Sequence, residues 1–140
     1  MAECTFCEIV AGDREALIVH QTDSTVSFLD HRPLFPGHVL VVPRSHHETI
    51  EDLPGPEVGP FFDVVQATSK AVRVALEAQG TFVAANNRVS QSVPHLHFHV
   101  VPRTKGDGLR GFFWPRHGYD GTEHAERVRD QIAAQLRDGS

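Results

Sequence analysis

The stretch Gln91-Ser92-Val93-Pro94-His95-Leu96-His97-Phe98-His99-Val100-Val101-Pro102-Arg103 alternates histidine with apolar residues at its centre. Read as a strand, its period of two places His95, His97 and His99 on one face and Leu96, Phe98 and Val100 on the other. Same-face neighbours then lie roughly 6.6–6.8 Å apart at Cα. Imidazole, with an ordinary pKa of about 6.5, can act as base, acid, nucleophile or metal ligand. Histidine is also the compositional outlier, at 10 of 140 residues. Three uses compete for such a face: nucleophilic catalysis, a catalytic metal held by paired histidines, and a solvated edge that Ser, Thr or Lys would serve equally well. No H-E-x-x-H or other clear third-ligand motif supports the metal. A second group with chemical potential is Cys4-Thr-Phe-Cys7, whose two cysteines are too few and too close for a disulfide scaffold.

These residues need elements to position them. Ala16–Gln21 and Thr25–Leu29 are β-rich runs separated by the turn formers Thr22-Asp23-Ser24, which predicts a hairpin. His38–Val42 predicts a third strand buried on both faces, closed by Pro43. After the break Pro54-Gly55-Pro56, the residues Val58, Phe61, Phe62, Val65, Val72 and Leu76 recur at helical spacing up to Gly80, which predicts one long amphipathic helix. Thr81–Asn86 and His95–Val101 predict two more strands joined by the polar loop Asn87–Val93. Ala125, Val128, Ile132 and Leu136 predict a C-terminal helix, with Asp120 or Thr122 as N-cap. Without a regular βαβα alternation, the expected class is α+β: an antiparallel five-stranded sheet, a long central helix and a C-terminal helix.

Composition narrows the function. A chain of 140 residues is one domain by length, and no apolar run approaches the roughly 18 residues of a membrane span. Residues 1–20 lack a basic n-region and a long apolar h-region, so the default expectation is a soluble, cytoplasmic protein. Net charge is −5 and no Lys/Arg run exceeds two residues, which argues against a nucleic-acid polymer as partner. G-x-x-x-x-G-K-[ST] and G-x-G-x-x-G are both absent, so a bound phosphate needs another device.

His95 to Val101 matches His-φ-His-φ-His-φ-φ, with φ apolar, and so resembles the signature of the histidine triad (HIT) superfamily. Cys4-Thr-Phe-Cys7, Phe28-Leu-Asp30-His31-Arg-Pro, Pro36-Gly-His38-Val-Leu-Val-Val-Pro43, the long helix and Gln91-Ser92 extend the resemblance over most of residues 4–103. It implies a single HIT-like domain over residues 1–140, with 4–103 as core and 104–140 as tail and helix. It also implies a hydrolase that cleaves the bond between the α-phosphate and the leaving group of AMP-X substrates through a nucleotidyl-histidine intermediate. Candidate substrates are phosphoramidates, adenylyl sulfate and dinucleoside polyphosphates. By the same resemblance His97 is the nucleophile, His99 meets the phosphate or leaving group, and Ser92 and Gln91 donate to phosphate oxygens. Asn86 or Asn87 joins them. Asp30 is expected to accept the ribose hydroxyls, its other reading being an Asx turn before Arg32-Pro33. Phe6, Ile9 and His31 are candidates to hold the base. The rival readings are a metal-dependent hydrolase using the histidine strand and a non-catalytic nucleotide-binding module. One departure stands out, since Ser90 precedes Gln91 where many relatives carry glycine.

A Cys-x-x-Cys pair needs two more ligands to close a structural zinc tetrahedron, and histidines are available nearby in sequence and in the triad. The resemblance implies one structural zinc per chain on Cys4, Cys7, His46 and His95, with His47 the weaker choice for the third ligand. It further implies a homodimer paired through the central helix and the strand beside it, where Val64, Val74 and Ala75 widen the apolar surface. The aromatic run Phe112-Phe113-Trp114-Pro115 is expected to border the leaving-group side of the site or to pack as core.

Overall fold

The computed structural model describes residues 4–110 and 116–138. Phe112, Phe113, Trp114 and Pro115, and with them the expectation for the aromatic run, lie outside the described residues. The chain divides into two compact units between Asp107 and Gly108. The first holds helix α1 (Thr5–Ala11), strands β1 (Ile18–Gln21), β2 (Thr25–Leu29) and β3 (Val39–Pro43), helix α2 (Gly55–Ala75), and strands β4 (Gly80–Ala84) and β5 (Phe98–Arg103). The second holds helix α3 (Thr122–Asp138).

The five strands make one antiparallel sheet in the order β1-β2-β3-β5-β4. Its two faces are set by the alternation within β3, which is buried along its length as its sequence predicts. Val39 and Val41 join Leu96, Val100 and the α2 residues Phe61, Val64, Val65 and Val72 in one apolar cluster. Leu40 and Val42 join Val26, Phe28 and the α1 residue Phe6 in a second cluster on the opposite face. So α2 covers one side of the sheet and the short α1 covers the other.

The structure departs from the expectations at α1, α2 and β5 and trims β1 and β4 at one end. Residues 5–11 form a helix that was not anticipated, capped at its start by the Cys4 side chain and stopped by left-handed Gly12. Helix α2 starts earlier than Val58, at Gly55, because proline is tolerated in a first turn whose N–H groups have no intrahelical partner. Val58 and Leu76, expected in its apolar stripe, are instead exposed, and Val64, expected to widen the surface, is core. The strand expected from His95 begins its ladder only at Phe98, because the preceding backbone is held elsewhere. The Leu96 N–H donates to the His47 carbonyl at 2.7 Å, and the His95 N–H donates to the Val93 carbonyl at 2.8 Å.

Candidate functional site

The histidine segment lies across the α1-facing side of the sheet. Leu40 of β3 is in register with His99 of β5 and with Phe28 of β2, so His38, two residues from Leu40, shares that face. A cleft of about 1000 Å³ opens there, large enough for a nucleotide-sized ligand. Phe6, Ile9, Leu17, Phe28 and Leu40 give it an apolar wall, while Asp30, His31, Ser92, His97 and His99 supply polar groups.

His97 is 3% exposed, and its Nδ1–H donates to the carbonyl of His95 at 2.7 Å. That bond assigns the proton to Nδ1 and leaves the Nε2 lone pair free. Burial lowers the pKa of His97, against the opposing effects of its bond to His95 and of Asp30, so the ring is neutral at pH 7. The edge of Phe6 packs against it with ring centres 5.0 Å apart. A neutral, oriented imidazole with a free lone pair is a nucleophile.

His99 is tied to a residue to which the sequence reading gave no role. His38, 2% exposed, accepts the Leu34 N–H on Nδ1 at 3.0 Å. Its proton therefore sits on Nε2 and is donated to His99 Nδ1 at 2.9 Å. His99 is left with an Nε2–H donor on a ring that lines the cleft. Burial, with His97 and His38 adding to it, pushes the His99 pKa down to about 4. The signal for His38 was present in the period of two along β3, which places it beside the triad. Asp30, His38 and His99 lie close enough together to suggest a cation site. However, the Leu34 bond keeps the facing nitrogen of His38 protonated, and a protonated nitrogen cannot ligate.

Asp30 forms the Asx turn that was one of its two expected roles, and its carboxylate lines the cleft. Its Oδ1 accepts the Arg32 N–H at 2.9 Å, closing an Asx turn, while Oδ2 lies 3.7 Å from His38 Nε2. The turn thus fixes the carboxylate at the cleft wall. His31 lies at the rim with its side chain 89% exposed. Phe6 serves both as core and as cleft wall, Ile9 lines the cleft half-buried, and Ser92 lines it from the loop.

Asn86, Asn87 and Gln91 are not among the residues lining the cleft. Asn87 Oδ1 accepts the Ile50 N–H at 2.8 Å, and Asn86 Nδ2 donates to the Ser90 carbonyl at 3.1 Å. Gln91 donates from Nε2 to the Glu48 carbonyl and accepts the Arg88 N–H on Oε1 at 2.9 Å. All three amides fasten the loop. Ser90 has φ +60° and Arg88 φ +71°, so the departure from glycine at position 90 falls where glycine is the least strained residue.

The donor atoms of Cys4, Cys7, His46 and His95 all lie within 4.8 Å of one another. Cys4 Sγ is 3.4 Å from His95 Nδ1, and Cys7 Sγ is 3.3 Å from His46 Nδ1 and 3.5 Å from His95 Nδ1. A tetrahedral cation with metal–sulfur bonds near 2.3 Å and metal–nitrogen bonds near 2.0–2.1 Å requires sulfur and nitrogen about 3.5 Å apart, so the set fits. His95 is fully buried, and its Nε2–H donates to the Pro43 carbonyl at 2.8 Å, which turns Nδ1 toward the thiols. Such a carbonyl partner is the usual orienting contact of a ligating histidine. His47 Nε2 instead approaches Glu57, at 3.9 Å. Burial and the neighbouring Cys4 push the Cys7 thiol up to about 11, so without metal Cys7 holds a proton that a cation would displace.

A family model for the HIT domain matches residues 11–106. A crystal structure of a HIT family member from Bacillus subtilis superposes with a TM-score of 0.87 at 33% identity, covering 96% of this chain and 97% of that one. A Zn-bound histidine triad family protein from Mycobacterium smegmatis superposes with a TM-score of 0.72 at 34% identity, over 98% and 97% of the two chains. An adenosine 5'-monophosphoramidase from Candida albicans is 30% identical over 142 residues, covering 94% of this chain and 93% of its own.

Proposed function

The chain belongs to the HIT family, and from that premise we propose that it hydrolyses AMP-X substrates at the cleft between α1 and the sheet, by nucleotidyl transfer to His97 and then to water. The observation that carries this reading is the orientation of His97: buried, neutral, with Nδ1–H on the His95 carbonyl and the Nε2 lone pair free. In the first step Nε2 bonds to the α-phosphorus and the bond from phosphorus to the leaving group breaks. The His95 carbonyl faces the charge that develops on the ring. His99 offers its Nε2–H to a phosphate oxygen or to the leaving atom, which in a phosphoramidate is nitrogen and departs as the free amine with a proton taken up from water, and Ser92 adds a hydroxyl donor. Water then cleaves the N–P bond, releasing AMP and restoring neutral His97. Asp30 accepts the ribose hydroxyls, and Phe6, Ile9 and His31 flank the base. Gln91, Asn86 and Asn87 hold the loop that carries Ser92. Small AMP-X compounds, phosphoramidates first, are the substrates, a choice supported by the monophosphoramidase relative.

Cys4, Cys7, His46 and His95 hold one zinc per chain, which supplies structure: four protein ligands close the tetrahedron and leave no position for substrate. The chain acts as a homodimer, as one HIT-type core extended by a C-terminal tail and helix.

The test combines a variant with a trapping experiment. His97→Ala is expected to lose hydrolysis of adenosine 5′-phosphoramidate by at least about a thousandfold, the scale of removing a nucleophile, while still binding AMP in calorimetry. Rapid quenching of the intact enzyme with substrate, followed by mass spectrometry, is expected to find one added AMP on His97. Adduct on another residue, or an active alanine variant, overturns the mechanism. AMP binding without turnover in the intact protein would instead mark a nucleotide-binding module.

A further inference from the structure

We propose that the Cys4/Cys7/His46/His95 centre and the nucleotide cleft are energetically coupled through α1, so that bound metal tightens nucleotide and bound nucleotide tightens metal by the same factor. This rests on the reading of the cleft as a nucleotide site and of the cysteine–histidine set as a metal site.

The link is Phe6. It lies between the two cysteine ligands in sequence, is 7% exposed, and lines the cleft. Its ring meets three others edge-on: Phe28 at 5.4 Å, His95 at 5.9 Å and His97 at 5.0 Å. Thr5 and Ile9 of the same helix also line the cleft, so the wall is built on a segment with a metal ligand on each side of Phe6. A seven-residue helix is far too short to persist by itself and takes its position from what holds it. Phe6, packed with Ile9 and Val10 against the sheet, provides one hold. The thiols, joined to histidines of two other segments, provide the other. Without a cation, thiol–imidazole contacts of 3.3–3.5 Å are weak sulfur hydrogen bonds, and the wall loses its firmer tether.

A second path runs through His95, whose Nδ1 faces the thiols and whose carbonyl accepts the His97 Nδ1–H. Fixing the ring fixes the residue that orients the nucleophile. Cys4 and Cys7 are therefore positioning residues for a site they do not touch, and losing the metal is expected to raise KM more than it lowers kcat. Coupling between distinct sites is ordinarily about 5- to 150-fold, and reciprocity is a thermodynamic requirement.

The experiment uses the full chain, zinc and AMP. Calorimetry is expected to give a Kd for AMP about 5- to 20-fold weaker in zinc-stripped than in zinc-loaded protein. Equilibrium competition with a chelating indicator, run on loaded protein with and without saturating AMP, is expected to show zinc held tighter by the same factor. This second measurement needs no stripped protein and stands even where the stripped chain unfolds. Phe6→Leu is expected to keep one zinc per chain, bind AMP less tightly and reduce the factor to the part carried by His95. Cys7→His, which keeps four ligands, is expected to retain the coupling, whereas Cys7→Ser loses it. AMP affinity equal within twofold in the two forms, or zinc affinity indifferent to AMP, overturns the proposal and leaves the nucleotide reading intact. AMP binding to neither form overturns both.

Discussion

A proton has one place to sit on His38 and one on His99. His38 donates from Nε2 because the Leu34 N–H occupies Nδ1, and His99 accepts on Nδ1, so both rings are held neutral in a buried chain of hydrogen bonds. Burial lowers the pKa of His38 and pushes that of His99 down to about 4. In the unfolded chain both return to about 6.5. As pH falls from about 6.5 toward 4, the unfolded state binds protons that the folded state refuses, and stability falls with it. The slope is at most about 1.4 kcal/mol per pH unit for each such proton. Above about 6.5 these two groups add no pH dependence. Urea melts of the zinc-loaded protein at pH 7, 6 and 5 are expected to follow this decline, and His99→Gln is expected to flatten it. An unchanged slope in that variant would remove His99 from the account. Ser90 offers a test of the opposite sign. With φ +60° it carries left-handed strain of about 1–2 kcal/mol, so Ser90→Gly is expected to stabilise the protein by up to about 1 kcal/mol once the greater freedom of unfolded glycine is subtracted. The midpoint of a urea melt reports the change.

Elements differ in how plainly their residues announced them. The face of β3 was legible because five consecutive buried residues leave no polar side to misplace. The partners of the triad followed from its period of two, with Leu96 and Val100 in the α2-side core as expected. Helix α1 was not legible. Phe6, Ile9 and Val10 have helical spacing, but over seven residues such a pattern is no stronger than chance, and the segment is held by tertiary contacts and by its cysteines rather than by propensity. The roles of Asn87 and Gln91 were equally hidden, because an amide aimed at a backbone group from residues 48 or 50 leaves no trace in local sequence. The turn before β3 carries its own test. Gly37 has φ +96°, and a Cβ placed there would lie 1.9 Å from Leu76 Cδ1. Leu76 is exposed as a residue and Cδ1 is the far end of its flexible side chain, so it can shift and the backbone strain remains as the main cost. Gly37→Ala is expected to destabilise by about 1–2 kcal/mol in urea and to reduce turnover, because the turn delivers His38 to the site. By contrast Phe61→Ala, at the centre of the α2 face with 1% exposure, is expected to cost about 3–5 kcal/mol and to leave zinc content at one per chain.

At the scale of the whole molecule, the strand order among the described residues leaves β1 and β4 as edges of the sheet. An open edge invites pairing with another chain. On β1 the candidates are Leu17 beside it and Ile18 and Val19 within it, all exposed. On β4 the edge adjoins a groove against α2 lined by Phe62, Asp63, Gln66, Ser69, Arg73 and Val83. Two features favour β4. Its groove combines apolar Phe62 and Val83 with hydrogen-bonding groups, which is the composition of an interface core and rim. The exposed face of α2 also carries Asp63 and Lys70 seven residues apart, so two antiparallel copies of the helix would bring opposite charges together twice across a two-fold axis. The expected mass by light scattering at micromolar concentration is twice 15.5 kDa, and the thermal midpoint is expected to rise with concentration. Val83→Lys places a charge on the β4 edge and is expected to yield a folded 15.5 kDa species with its circular dichroism retained. Val19→Lys, the matching change on β1, is expected to leave the mass doubled. The reverse pattern would assign pairing to β1, and a wild-type mass of 15.5 kDa would remove the dimer altogether.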